Sequence, residues 1–247
     1  MKLSIMQPYF FPYIGYWQLI FNCDLWVFFD NPQYNKRSWM NRNKILHSNP
    51  ENEFQYINVP IKKHERGEII KNVQINNNEQ WKDKLYGQLT VYKRIKSPYY
   101  EDVIKLLNTA LQDKEDYFTP LSIKISVAVA SYLGLSFKYK VSSELDMDYS
   151  QVNEPDDWAL LITKHLGGNQ YINPYGGMEI FNDNKYKNHG IDLLFLKPIL
   201  KEYQQSQREF TPGLSIIDIL MFNSKEKVVE ILKNDFKIVE KHKKAKI

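Results

Sequence analysis

Between positions 30 and 43 the chain reads DNPQYNKRSWMNRN, a run of amides, cations and aromatic rings. The guanidinium forks of Arg37 and Arg42 suit phosphate or carboxylate oxygens in pairs. The amides of Gln33 and Asn41 and the rings of Tyr34 and Trp39 suit hydroxyls and ring faces. A ligand that joins phosphates, hydroxyls and a flat ring would use all of these, and a nucleotide-linked sugar is one. The plain alternative is a solvated loop with surface ion pairs. Asp30, at the head of the run, is a candidate general base. Upstream, QPYFFPYIGY at positions 7–16 offers Gln7, Tyr9, Gly15 and Tyr16 as the floor for a ring or base, with Phe10 and Phe11 expected in the core.

Three other places carry candidate chemistry. His64, in KKHERGE, is either a second candidate base or an exposed surface residue. Asn173, Gly176 and Gly177, in NPYGG, form a tight turn ahead of a helix, which either presents backbone N–H groups to an anion or simply connects two elements. Asp218 lies among Ile216, Ile217, Ile219 and Leu220, so its carboxylate is expected to be buried and to need a partner; Arg37 and Arg42 are the proposed ones. No His/Asp/Glu spacing suggests a metal site, and the chain has one cysteine, Cys23, which excludes an internal disulfide or a multi-cysteine zinc site.

The elements that must hold these residues follow from pattern. Positions 3–6 and 25–29 are short apolar runs joined by a helical segment, as in a buried parallel β–α–β unit. Positions 45–47, 54–60, 137–141, 170–172 and 191–196 read as extended, and the alternation of KNVQI predicts another strand over 70–75. Helices are expected over 81–95, 100–111, 119–133, 156–165, 214–222 and 225–233. Thr119 is the expected N-cap of the third, Pro120 its first residue and Gly134 its stop. The fold class expected is α/β: a small, mostly parallel sheet covered by a helix-rich C-terminal half, within one domain spanning 1–247.

With 247 residues, 43% hydrophobic and 14% aromatic, the chain can bury a sizeable core. The net charge of +4 is mild. The last fifteen residues hold six lysines without an aromatic ladder, and they read as a solvated end rather than a nucleic-acid patch. No apolar run reaches the ~18 residues needed to span a bilayer. With a single cysteine and no signal-peptide pattern, a cytoplasmic location is expected.

The strand, proline-bearing loop and helix at the start resemble nucleotidyltransferases with a HIGH-type signature, but Tyr13 and Tyr16 stand where that pattern has histidines. A neutral phenol donates a hydrogen bond without bringing charge, which argues against adenylylation. A broader resemblance runs through QPYFFPYIGYWQLI, WVFFDNPQY, KRSWMNRNKI, YKRIKSPYY, YINPYGG, GIDLLFL and FTPGLSIIDILMFNS. In order and extent these segments resemble the WbqC-like family. One departure is Asn31-Pro32-Gln33, where the family pattern usually has Asp-Val-Gln; Pro32 fixes φ and removes a donor there. The resemblance implies a role in bacterial surface polysaccharide, especially O-antigen, formation. The expected activity is a transferase acting on a nucleotide-linked amino sugar, by N-acyl or N-aminoacyl transfer. Acyl-CoA or another activated acyl donor would be the second substrate, with no nucleic acid and with oligomerisation open. The alternatives are an ATP-using nucleotidyltransferase or ligase relative, and a non-catalytic sugar-nucleotide-binding protein.

Overall fold

The structure, a computed structural model, describes residues 1–36, 38–206 and 209–241. Its strands are β1 (Lys2–Met6), β2 (Leu25–Phe28), β3 (Arg42–Leu46), β4 (Phe54–Asn58), β5 (Tyr139–Val141), β6 (Gln170–Pro174), β7 (Asp192–Pro198) and β8 (Phe236–Glu240). The helices are α1 (Ile14–Phe21), α2 (Trp81–Arg94), α3 (Tyr100–Ala110), α4 (Phe118–Tyr132), α5 (Asp157–His165), α6 (Asp183–Lys187), α7 (Ile216–Phe222) and α8 (Lys225–Asn234).

Six strands form one sheet in the order β5-β2-β1-β6-β7-β8, parallel except for the antiparallel edge β8. The apolar runs explain it. Alternate residues on each strand face opposite layers, so a strand covered on both sides must be apolar throughout. Trp26, Phe28, Ile172 and Leu196 enter the larger core, with α1, α2, α3, α4, α7 and α8. Their neighbours Val27, Tyr171 and Phe195 enter a smaller core on the other face, under α5 and α6. The expected mixed α/β architecture with a mostly parallel sheet is therefore present, and both halves of the chain supply its strands.

The chain runs from β1 to β2 and β5 on one side, then returns to place β6 and β7 on the other side of β1. The order therefore reverses between β1 and β6. At such a point the carboxyl ends of adjacent strands lead their loops apart and leave a crevice.

Three local expectations are corrected. The strand over 70–75 is a 3₁₀ turn, Ile70–Asn72, followed by single bridges from Gln74 to Tyr117 and from Ile75 to Ile61. The buried residues are Ile70, Val73 and Ile75, so the apparent alternation mixes a three-residue with a two-residue spacing. Helix α4 begins two residues early, with Tyr117 at the N-cap position in place of Thr119, which puts Thr119 and Pro120 inside the first turn. Proline is tolerated there because first-turn N–H groups have no intrahelical acceptor. Within the lysine-rich end, residues 236–240 form edge strand β8, with Phe195↔Val239 in register. The lysines masked its alternation.

Candidate functional site

The crevice is built on a loop whose carbonyls at Gln7, Tyr9, Phe10, Phe11 and Pro12 are all hydrogen-bonded. After β1, the Gln7 carbonyl accepts from Tyr16 Oη at 2.9 Å and that of Tyr9 from Ser122 Oγ at 3.0 Å. The Phe11 carbonyl accepts from Asn43 Nδ2 and Ser215 Oγ, both at 2.7 Å, and Asn43 Nδ2 also reaches the Phe10 carbonyl at 3.3 Å. The Pro12 carbonyl takes the Trp17 indole N–H at 2.9 Å and the Ile216 backbone N–H at 3.0 Å. Phe11 has φ 41°, a left-handed conformation costly for a bulky residue. Its fully buried ring and doubly bonded carbonyl hold it there. Phe10 and Phe11 are core residues, as expected.

Two chambers open at this edge and share Met6, Tyr9 and Pro174, the carboxyl ends of β1 and β6 and the loop between β1 and α1. The first, of about 430 Å³, is mostly apolar and is walled by Tyr9, Tyr13, Tyr16, Trp39, Asn43 and Lys44. The second, of about 640 Å³, includes Gln7, Asn153, Glu154, Trp158, Asn173 and Gly177. Burial pushes the phenols of Tyr9, Tyr13 and Tyr16 up from their usual range, Tyr16 the most, so all three stay neutral donors. Tyr16 spends its hydroxyl on Gln7; those of Tyr9 and Tyr13 have no hydrogen-bond partner among the described residues.

The hairpin β3–β4 forms the rim of the first chamber. Its register sets Arg42 opposite Asn58 and Lys44 opposite Tyr56. Alternation turns Asn43 and Ile45 into the protein and leaves Arg42 and Lys44 on the outer face. The Arg42 guanidinium lies 5.2 Å from the Trp39 ring and 5.5 Å from the Tyr56 ring. Lys44 Nζ lies 3.9 Å from the Phe54 ring and 5.2 Å from that of Trp39. Among the described residues it has no carboxylate or hydrogen-bond acceptor.

Of the other expected site residues, Gln7, Asn173 and Gly177 line the second chamber and the rest fall outside both. Arg37 lies outside the described residues. Asp30 is buried at the end of β2, where its Oδ1 accepts from Ser142 Oγ and the Ser143 N–H, both at 3.0 Å, and its Oδ2 accepts from Ser143 Oγ at 2.9 Å. It ties β2 to the turn after β5. Asn41 binds the Val59 carbonyl at 2.8 Å and accepts from Tyr34 Oη at 3.3 Å. Gln33, Tyr34 and His64 share a separate crevice of about 380 Å³ with Lys36 and Arg66. Gly15 lines neither chamber: a Cβ there would lie 2.5 Å from Tyr13 Oη and 2.6 Å from Pro198 Cγ. Asn173 accepts from Tyr171 Oη at 2.8 Å. Gly177 lies against its amide, where a Cβ would sit 2.4 Å from Nδ2, and Gly176 has open space around it.

Asp218 is buried as expected, but its partners are neutral. It accepts from Tyr203 Oη at 2.5 Å, Tyr92 Oη at 2.6 Å and Gln205 Nε2 at 2.7 Å, with no arginine among its described contacts. Burial pushes its carboxyl up to about 6, against the opposing pull of these three donors. The half-buried Cys23 thiol is pushed up to about 12 by desolvation. No group of three or more His, Cys, Asp or Glu side chains that could hold a metal comes together among the described residues. No helix of theirs is long and apolar enough to cross a membrane.

Sequence reasoning had Asn43 at the end of its amide and cation run without a role of its own, and it missed Lys44, which directly extends that run; both needed only the strand register to be seen. It also missed Asn153, Glu154 and Trp158, which carry no local signal and are brought to the edge by the sheet order.

Residues 7–230 match the WbqC-like protein family. A Mycobacterium tuberculosis protein, described as uncharacterized protein Rv1507c, is 24% identical over 221 residues, 89% of this chain and 92% of that one. No solved structure matches. The match across most of the chain makes this protein a member of the WbqC-like family.

Proposed function

We propose that the protein is a transferase acting on a nucleotide-linked amino sugar in the formation of surface polysaccharide, by N-acyl or N-aminoacyl transfer. The observation that carries this reading is the first chamber: three neutral tyrosines forming an apolar slot, with the Lys44 ammonium, which has no carboxylate partner among the described residues, at its rim. Such a slot suits a flat base, and the lysine suits phosphates. In the transfer, the amine nitrogen attacks the acyl carbonyl carbon of a thioester. A C–N bond forms, the C–S bond breaks, one proton leaves the nitrogen, and the thiol departs carrying a proton. The hydroxyls of Tyr9 and Tyr13 are available to donate to the carbonyl oxygen as charge develops on it. Asp30, with both oxygens engaged, acts in this reading as a positioning group for the end of β2, and His64 stands at the neighbouring crevice.

A thermal-shift panel of nucleoside diphosphates, their sugars, ATP with Mg²⁺ and acyl-CoAs tests it. Stabilisation by uridine or thymidine diphosphate sugars, without an ATP response, is expected. A response to ATP with Mg²⁺ alone would replace this reading with nucleotidyl transfer, and no response to any nucleotide sugar would end it.

A further inference from the structure

The second chamber differs from the first in charge. Among the residues that line it there is no lysine, arginine or histidine, and the one ionisable carboxylate is Glu154. A phosphate taken from water into such a place would lose its hydration with no cation to replace it. A neutral or cationic ligand would not. The chamber has an aromatic wall, with Trp158 edge-on to Phe29 at 5.2 Å and backed by Tyr149 at 5.1 Å. It also has amides at Gln7, Asn153 and Asn173. Aromatic faces with amide donors and acceptors fit the apolar faces and hydroxyl edges of a pyranose ring.

Glu154 is displayed from a fixed turn. Its backbone N–H donates to Asp157 Oδ2 at 2.7 Å, and that of Asn153 to the same oxygen at 2.9 Å. Asp157 is in turn ion-paired to Lys185. The Glu154 carboxylate itself has no partner among the described residues. We infer that the second chamber binds a hexosamine ring, with the amine received by Glu154 and the ring set against Trp158. The inference rests on the reading above in taking the two chambers, joined at Tyr9, as one site for a nucleotide and its sugar.

Indole N–H signals of ¹⁵N-tryptophan-labelled protein separate the two chambers, because Trp39 lines the first and Trp158 the second. Trp39→Phe and Trp158→Phe assign the signals. The probes are D-glucosamine, D-glucose and uridine diphosphate. Glucosamine should shift the Trp158 signal saturably and leave Trp39 in place, and it should bind about threefold tighter than glucose, the size of an exposed charge pair. Glu154→Gln should erase that preference without weakening glucose. A Trp158 signal that ignores glucosamine, that responds equally to uridine diphosphate, or that keeps the preference in Glu154→Gln overturns the inference. The two readings fail separately. Uridine diphosphate leaving Trp39 unmoved while glucosamine moves Trp158 removes the nucleotide and leaves the sugar chamber standing. The reverse pattern removes the sugar chamber alone.

Discussion

The loop over residues 7–13 and the segment over residues 30–43 hold similar chemistry in sequence, amides beside aromatic rings, and the fold treats them in opposite ways. In the loop, polar groups are consumed in holding a bent backbone: Asn43, Ser215, Ser122 and Tyr16 all donate to its carbonyls. In the segment, the chain straightens into β3, and alternation releases every second side chain. Asn43 turns inward to serve the loop, while Arg42 and Lys44 stay at the rim. Where a backbone bends without its own ladder, neighbouring side chains must satisfy it. Where it pairs as a strand, side chains are left over for a ligand.

The comparison predicts that neighbouring residues of one strand behave differently when changed. Asn43→Ala should lose about 3 kcal/mol in urea unfolding, because two buried carbonyls lose a donor. A loss below about 1 kcal/mol would mean the loop holds itself. The next effect reaches the loop through α7, whose start supplies Ser215 and Ile216 to it. Asp218, on the same helix, has a carboxyl raised from 3.8 to about 6 in the folded state. Between these values the folded protein binds more protons than the unfolded chain, so stability is greatest at low pH and falls as pH rises through this window. The fall from this group is about 3 kcal/mol and levels off above pH 6. Urea midpoints from pH 4 to 7 should lose this component in Asp218→Asn; an identical slope in both proteins would contradict it.

Gly15→Ala comes third. Its methyl collides with the Tyr13 hydroxyl and Pro198, so the ring must leave its place in the first chamber, at a cost of about 2 kcal/mol. Altered Tyr13 ring signals checked by NMR should accompany the loss. Trp39→Ala is the smallest in stability: the ring is 44% exposed, and its removal should stay within about 0.5 kcal/mol of the parent in the same unfolding experiment.

Much of the fold could be read directly. The apolar runs at the start predict β1 and β2 as parallel neighbours, and they pair from Leu3↔Leu25 to Met6↔Phe28. Residues 70–75 misled because burial spaced three and then two residues apart imitates a strand over so short a window. Tyr9 and Tyr16 of the aromatic loop and Trp39 and Asn43 of the charged segment line one chamber, while Asp30, Gln33 and Tyr34 of that segment do not. Asn173 and Gly177 aside, the far walls could not be read: Pro174 and Trp158 reach the chambers through the strand order, which no local pattern states, and Gly213 comes from the loop before α7. Asp218 was expected to take an arginine because a buried charge needs a partner. Two tyrosines and a glutamine meet that need with neutral donors, which are less costly to desolvate than a second charge.

Calorimetric titration of uridine diphosphate into the parent protein and Lys44→Gln decides whether the first chamber receives a nucleotide through Lys44. The variant should unfold as the parent does and bind about tenfold more weakly, the loss of one charge-assisted contact. Equal affinities in two equally stable proteins would contradict it.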